Sequence, residues 1–338
     1  MGQRKPNAGR DRAGGLVIGL VNNMAPAAMR ATEGRFRQLL AAAPAGPAVR
    51  LRVFVDRAAH PCPSGEHEDL DALWDASLDG LIVTGTEPRA LAMTDEPLWP
   101  RLAALTDWAG ENTLSTLWSC MAAHAAVFRL DGLHRRRLPE KLWGVFDCAK
   151  ASDHGRPGHP LLSGAPPRWP VPHSRCNDLD EADLREAGYR ILSRADRVGA
   201  DLFVKQARDS LFVLAQGHLE YAPDSLLREY RREVKRFLAG QRADYPEMPE
   251  GYCDRETAGR LAAARDRISR DPAAAPRLLL EQAAAFTPAR DWSTHATRLH
   301  SRWLSYLAAR KAETTRARAS RTAPAHPPAN VGAARVAA

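Results

Sequence analysis

An α/β fold, with a mostly parallel sheet flanked by helices, is predicted by three features of this sequence. Short runs rich in Val, Ile and Leu alternate with longer segments of helical period, the pattern of strands joined through crossover helices. The chain has 338 residues, of which 44% are hydrophobic, enough to bury a substantial core. Third, Cys120 falls where one apolar run gives way to a stretch of strong helix formers.

Leu16 to Val21 is the first predicted strand, ending at Asn22-Asn23. Thr32 to Ala43 follows as a helix presenting Phe36, Leu39 and Leu40 to the core. Val49 to Val55 is the second strand, and Gly80 to Thr84 the third, stopped at Gly85 where the backbone can turn sharply. Pro97 to Trp108 reads as a helix and Ser115 to Ser119 as a fourth strand, with a helix following Cys120 from Met121 to Val127. After residue 150 the pattern changes to loops with many Pro and His residues. A hairpin then pairs Leu202–Lys205 with Leu211–Ala215 about the turn-like Arg208-Asp209-Ser210. Ser225 to Leu238 is a strongly charged amphipathic helix. Residues 240–290 offer helical pieces with a break between Pro272 and Pro276, and Trp292 to Leu307 closes the ordered region. No solenoid period is present.

The formal charge of +8 points first to an acidic partner, so its location matters. Residues 1–14 contribute +3 and residues 310–338 contribute +5, which leaves residues 15–309 neutral. A neutral body argues against a nucleic-acid-binding core. The two basic ends are rich in Ala, Pro and Arg without apolar period, so both are expected to be disordered tails. Residues 15–309 are then the folded domain. Five cysteines without close regular spacing suit a reducing cytosol better than a disulfide framework. Neither a signal peptide nor a membrane-spanning run is visible, so a cytoplasmic protein without membrane attachment is expected.

A cysteine at the tip of a strand, opening a helix, has the setting of a nucleophile elbow, where the helix dipole favours the thiolate. Trp118 stands at minus two, where a small residue is usual, and Ala122 keeps plus two small. A buried core cysteine is an equal alternative until partners are found. His218 and Glu220 supply them: residues two apart on extended backbone project to one side, so Glu220 can orient the imidazole and leave its other nitrogen for Cys120. His124, one helical turn past Cys120, is a competing base, though it points along the helix. Cys62, Cys148 and Cys176 lack a comparable setting. His154, His159 and His173 lack the spacing of a zinc site, so no metal is expected. Gly85 and Gly144 make no phosphate-cradling loop.

These residues resemble the homoserine O-acyltransferase family of methionine biosynthesis. The likeness runs from about Gly15 to Leu307, through Leu20 to Met24, Ala31-Thr32-Glu33, Asp79 to Gly85, Ser115 to Cys120 and Glu140-Lys141. It continues through Pro172-His173-Ser174-Arg175, Gly217 to Tyr221, and Trp292 with His295 and Trp303. The resemblance implies a class I glutamine amidotransferase-like fold, a flavodoxin-like three-layer sandwich. It implies acyl transfer from succinyl-CoA or acetyl-CoA to L-homoserine, with acyl-CoA as co-substrate and no further cofactor. Cys120 matches the residue that takes the acyl group as a thioester, His218 the general base and Glu220 its orienting partner. Lys141, Ser174 and Arg232 match substrate-contacting positions. A guanidinium such as Arg232 can hold an α-carboxylate bidentately. The Met121 N–H is the expected oxyanion donor. Arg89 falls close to the position that helps choose the acyl donor, where a cation would pair with a succinyl carboxylate and Glu87 would oppose it.

The chain departs from the family at Met24-Ala25-Pro26-Ala27-Ala28, where lysines are common, and at Leu219 and Ala222 around the His-x-Glu-Tyr motif. The family also suggests a homodimer. Three other readings stay open. One is a glutamine amidotransferase using the same three residues, another an acyltransferase acting on serine, and the third an interaction protein binding nucleic acid through its basic ends.

Overall fold

The computed structural model describes residues 15–42, 47–57, 66–152, 155, 157–284 and 286–322. The predicted tail over 1–14, residues 323–338, Cys62 and His154 lie outside the described residues. In chain order the elements are β1 (Leu16–Val21), α1 (Pro26–Ala41), β2 (Val49–Val55), β3 (His67–Asp69), β4 (Gly80–Val83), α2 (Trp99–Asn112), β5 (Ser115–Ser119) and α3 (Met121–Asp131). Then come β6 (Arg136–Lys150), β7 (Arg168–Asp178), α4 (Glu181–Glu186), β8 (Arg190–Ala195), β9 (Gly199–Ala207) and β10 (Ser210–Ala215). Last are α5 (Ser225–Leu238), α6 (Arg255–Arg270), α7 (Ala275–Ala284) and α8 (Ser293–Thr322).

One 10-stranded sheet has the order β3-β2-β1-β4-β5-β10-β9-β8-β6-β7. Every neighbour from β3 to β10 is parallel. Every neighbour from β10 to β7 is antiparallel. The central strands β4 and β5 are buried along their whole length, as a parallel strand covered on both faces must be. Phe36, Leu39 and Leu40 of α1 pack with Leu299, Trp303 and Leu307 of α8 over one face, beside Ile18 and Leu20. Leu102 and Leu105 of α2 pack with Ala122 and Val127 of α3 over the other, beside Val83 and Trp118. Helices α5, α6 and α7 form a third apolar cluster, around Tyr230, Tyr252 and Trp292, against Val145 of β6.

Several boundaries differ from the sequence expectation. Helix α1 starts at Pro26 rather than Thr32, because proline at the first helical position has its φ already set and loses no hydrogen bond there. The stretch after residue 150, read as loops, instead holds the antiparallel strands β7 and β8 and a short helix, and β6 before it is a strand that the sequence reading left unassigned. The prolines sit within β7 where its period of two still buries Trp169, Val171 and His173. The tail expected from residue 310 is a further correction, since α8 runs on to Thr322. Lys311 Nζ donates to Asp79 Oδ2 at 2.8 Å and to the Gly15 carbonyl at 2.7 Å, which pins the helix to the start of the sheet. Lack of an apolar period rules out a buried face, but an Ala- and Arg-rich segment extends an already nucleated helix readily. Among the described residues no helix is long and apolar enough to cross a membrane.

Candidate active site

Strands β5 and β10 are parallel neighbours in register, Ser119 opposite Ala215. The residues that follow them therefore emerge side by side at the carboxyl edge of the sheet, where open α/β sheets collect functional groups. The Cys120 N–H donates to the Ala215 carbonyl at 2.7 Å and ties the two strand ends together. Cys120 itself has φ 49° and ψ −113°, a conformation that costs a non-glycine residue roughly 1–3 kcal/mol and persists where the surroundings impose it. Gly85 helps impose it: a Cβ there would stand 2.9 Å from both the Ser119 carbonyl oxygen and the Met121 nitrogen. Only glycine lets the loop after β4 lie against the elbow.

The His218 N–H donates to the Pro172 carbonyl at 2.8 Å, and its Nδ1 lies 2.9 Å from Glu220 Oε1. Ser119 Oγ donates to the same carboxylate oxygen at 2.6 Å. The His–Glu pair forms within a turn closed by the Tyr221 N–H on the His218 carbonyl at 3.0 Å, not on extended backbone as expected. The Tyr221 ring stacks on the imidazole with centroids 4.2 Å apart. With Nδ1 directed to Glu220, the other ring nitrogen is left for the Cys120 sulfur. Burial opposes the imidazolium, but the charges of Cys120 and Glu220 outweigh it and hold His218 well above its ordinary value. Burial likewise works against the Glu220 carboxylate, yet His218 and Ser119 keep its pKa below the usual range.

His124 is not part of this relay. Its Nε2 lies 2.8 Å from Gln216 Oε1, and burial, helped by Arg175, lowers its pKa to about 3, so the ring is neutral. Met121 is the first residue of α3, so its N–H has no carbonyl partner one turn back within the helix.

Lys141 on β6 and Ser174 on β7 converge on a residue that the sequence reading passed over, Glu229 of α5. Ser174 Oγ donates to Glu229 Oε2 at 2.5 Å, Lys141 Nζ lies 3.4 Å from the same oxygen, and Tyr221 Oη donates to Oε1 at 2.6 Å. Burial disfavours the Glu229 charge, but Lys141, these two hydroxyls and His218 keep its pKa below the ordinary range, so it is a buried carboxylate. Arg232 lies one turn further along α5, half exposed, 3.1 Å from Glu233. The signal that could have found Glu229 is its i,i+3 spacing to Arg232, which puts both on one face of the helix.

Arg89 is exposed, and its backbone is fixed from below. The N–H groups of Arg89 and Ala90 donate to the Glu96 carboxylate at 3.0–3.2 Å. Arg135 binds the same carboxylate at 2.6 Å and reaches the carbonyls of Ala90 and Leu91. Glu87 in the same loop bridges to Arg236 of α5 with two bonds of 3.0 Å.

Cys148, His173 and Asp201 bring donor atoms within 4.8 Å of one another in the core, a set that could hold a transition metal. Arg175 Nε donates to His173 Nδ1 at 3.4 Å. Ser193 Oγ donates to Asp201 Oδ2 at 2.7 Å, and His173 Nε2 stands 3.3 Å from Asp201 Oδ1. Burial and the Asp201 charge push the Cys148 thiol far up. The cluster lies under Gly217, whose Cβ would meet Asp201 at 2.7 Å and His173 at 2.9 Å, and so braces the turn that carries His218.

The fold is that of an α/β protein with Cys120, His218 and Glu220 gathered at the carboxyl edge of its sheet. A sequence model of the homoserine O-succinyltransferase family matches residues 2–314, and the chain belongs to that family. It is 45% identical over 304 residues to a homoserine O-succinyltransferase of Rhodopseudomonas palustris, covering 87% of this chain and 88% of that one. It is 43% identical over 308 residues to the homoserine O-succinyltransferase of Methylorubrum extorquens, covering 88% of each. Among solved structures, a glutamine amidotransferase from Methylobacillus flagellatus matches with a TM-score of 0.49 at 15% identity, over 88% of this chain and 94% of that one.

Proposed function

We propose that this protein transfers a succinyl group from succinyl-CoA to the hydroxyl of L-homoserine, in methionine biosynthesis, through a thioester on Cys120. The observation that carries the reading is the placement of a buried carboxylate, Glu229, beside the Cys120–His218–Glu220 relay. A nucleophile with its base can serve many acyl transfers, whereas an ionised Glu229 with Arg232 one turn away fits the ammonium and carboxylate of an amino acid.

In the first half-reaction the Cys120 sulfur attacks the thioester carbonyl carbon, and the oxyanion forms against the Met121 N–H. The bond to the CoA sulfur breaks, and His218 Nε2 gives that sulfur a proton. In the second half-reaction the homoserine hydroxyl passes its proton to His218 Nε2 and attacks the thioester carbonyl. The Cys120 sulfur leaves, and the proton taken up by His218 Nε2 returns to the Cys120–His218 pair. Glu220 stays ionised throughout and fixes the imidazole, while Ser119 fixes Glu220. Lys141, Ser174 and Tyr221 hold Glu229 in place for the acceptor. Arg89, exposed in the loop that lies on the elbow, adds positive charge on the side from which the acyl donor approaches.

Mass spectrometry of the protein mixed with succinyl-CoA alone tests the reading. One succinyl group is expected on Cys120, removed when homoserine is added with release of O-succinylhomoserine. Full transfer by Cys120→Ala would exclude the scheme.

A further inference from the structure

We infer that Arg236 recognises the free carboxylate of the acyl donor, and that Glu87 occupies it until the donor arrives. The inference rests on the acyl transfer proposed above and adds how the dicarboxylic donor is selected. Glu87 follows Gly85 by two residues, and two residues span at most about 7 Å. Because Gly85 is packed on the Ser119–Met121 backbone, the Glu87 backbone lies close to the nucleophile. Its side chain reaches across to α5 and binds Arg236 through both carboxylate oxygens at 3.0 Å.

That seat is already organised. Arg236 keeps a second bond to Glu233 Oε1 at 3.0 Å, so its guanidinium stays in place when Glu87 leaves. Lys141 and Arg232 also face Glu87, and their charges add to that of Arg236. The Glu87 side chain is 58% exposed, so its release to water needs no unfolding. A succinyl carboxylate makes the same two charge-assisted bonds that Glu87 makes. An acetyl group has nothing to offer the guanidinium and leaves the bridge closed. Arg236 lies seven residues from Glu229, two helical turns along one face of α5, so donor and acceptor charges are read by the same helix.

Steady-state kinetics of the full chain with succinyl-CoA and with acetyl-CoA, at fixed homoserine, test this. For Arg236→Gln the succinyl-CoA KM is expected to rise about 10–100-fold, and the acetyl-CoA KM less than about 3-fold. For Glu87→Gln the succinyl-CoA KM is expected to fall about 2–5-fold, because the competitor for Arg236 is gone. Opposite signs separate recognition from a structural tie, since breaking a tie acts in one direction from either end. Equal effects on both donors, changes of the same sign in the two variants, or no change in Arg236→Gln would each overturn the inference. If the unsubstituted chain transfers from neither donor, the proposed activity itself fails. If it uses succinyl-CoA and Arg236→Gln is unaffected, this inference alone does.

Discussion

The two halves of the sheet contribute different things to one cleft. The parallel half, β3 through β10, ends in the elbow of Cys120 and the turn of His218 and Glu220. The antiparallel half supplies Lys141 and Ser174, which meet Glu229 of α5. In the proposed scheme the nucleophile and its base thus follow the parallel neighbours β5 and β10, and amino-acid recognition draws on β6, β7 and α5. If that division holds, substitutions in the first half act on the chemical step and those in the second on substrate affinity.

The largest expected effect comes from Cys120→Ala, which should lower kcat by about 10³-fold or more and leave no acyl adduct. Glu220→Gln should cost about 10²–10⁴-fold in kcat, since the imidazole loses the partner that sets its tautomer and stabilises its charge. In Glu229→Gln the homoserine KM is expected to rise about 10–100-fold, while single-turnover acylation by succinyl-CoA proceeds near the normal rate. An equal loss in the acylation step would erase the distinction between the halves.

What was legible in the sequence follows apolar runs and turn signals, strand by strand. The strands Leu16–Val21 and Gly80–Val83 were readable because parallel strands buried on both faces are continuous apolar runs. Cys120 was readable because a strand and a helix adjoin it without a loop. Of the antiparallel strands, β9 and β10 were readable as a hairpin, whereas β6 carries the exposed Arg136, Arg137, Glu140 and Lys141 and β7 carries Pro170 and Pro172, and these two were not. Such residues belong to loops by composition, and only the pairing of β6 with β7 reveals them as strand. Resemblance located Lys141, Ser174 and Arg232, but Glu229 stayed hidden in a run of surface-type charges. What makes it special is burial against Ser174 and Tyr221, a tertiary fact.

Truncation after residue 309 tests a smaller effect, on stability. Asp79 is buried and accepts bonds from the Val17 N–H at 2.9 Å and from Lys311 at 2.8 Å. Removing Lys311 leaves that carboxylate short of a partner, a loss of about 1–3 kcal/mol. The melting temperature should fall by several degrees, and Lys311→Met in the full chain should reproduce most of the drop. An unchanged melting temperature for both would return residues 310–322 to the status of a dispensable tail.

A last effect is on acid stability and concerns histidines rather than catalysis. Burial holds His124 at a pKa of about 3 and His295 at about 4, the latter stacked on Trp169 with centroids 4.0 Å apart. Both are neutral in the folded chain, whereas the unfolded chain protonates them near pH 6.5. Between pH 6.5 and 4 the unfolded state therefore binds more protons, so stability falls as pH falls, by at most about 1.4 kcal/mol per unit for each ring. The carboxylates held low, Asp201 and Glu229, lose their contribution only below about pH 4, where unfolded carboxylates also titrate. The window from 4 to 6.5 thus isolates the histidines. Urea midpoints across it should fall less steeply in His124→Gln than in the parent, and identical slopes would show that this ring is not held neutral by its burial.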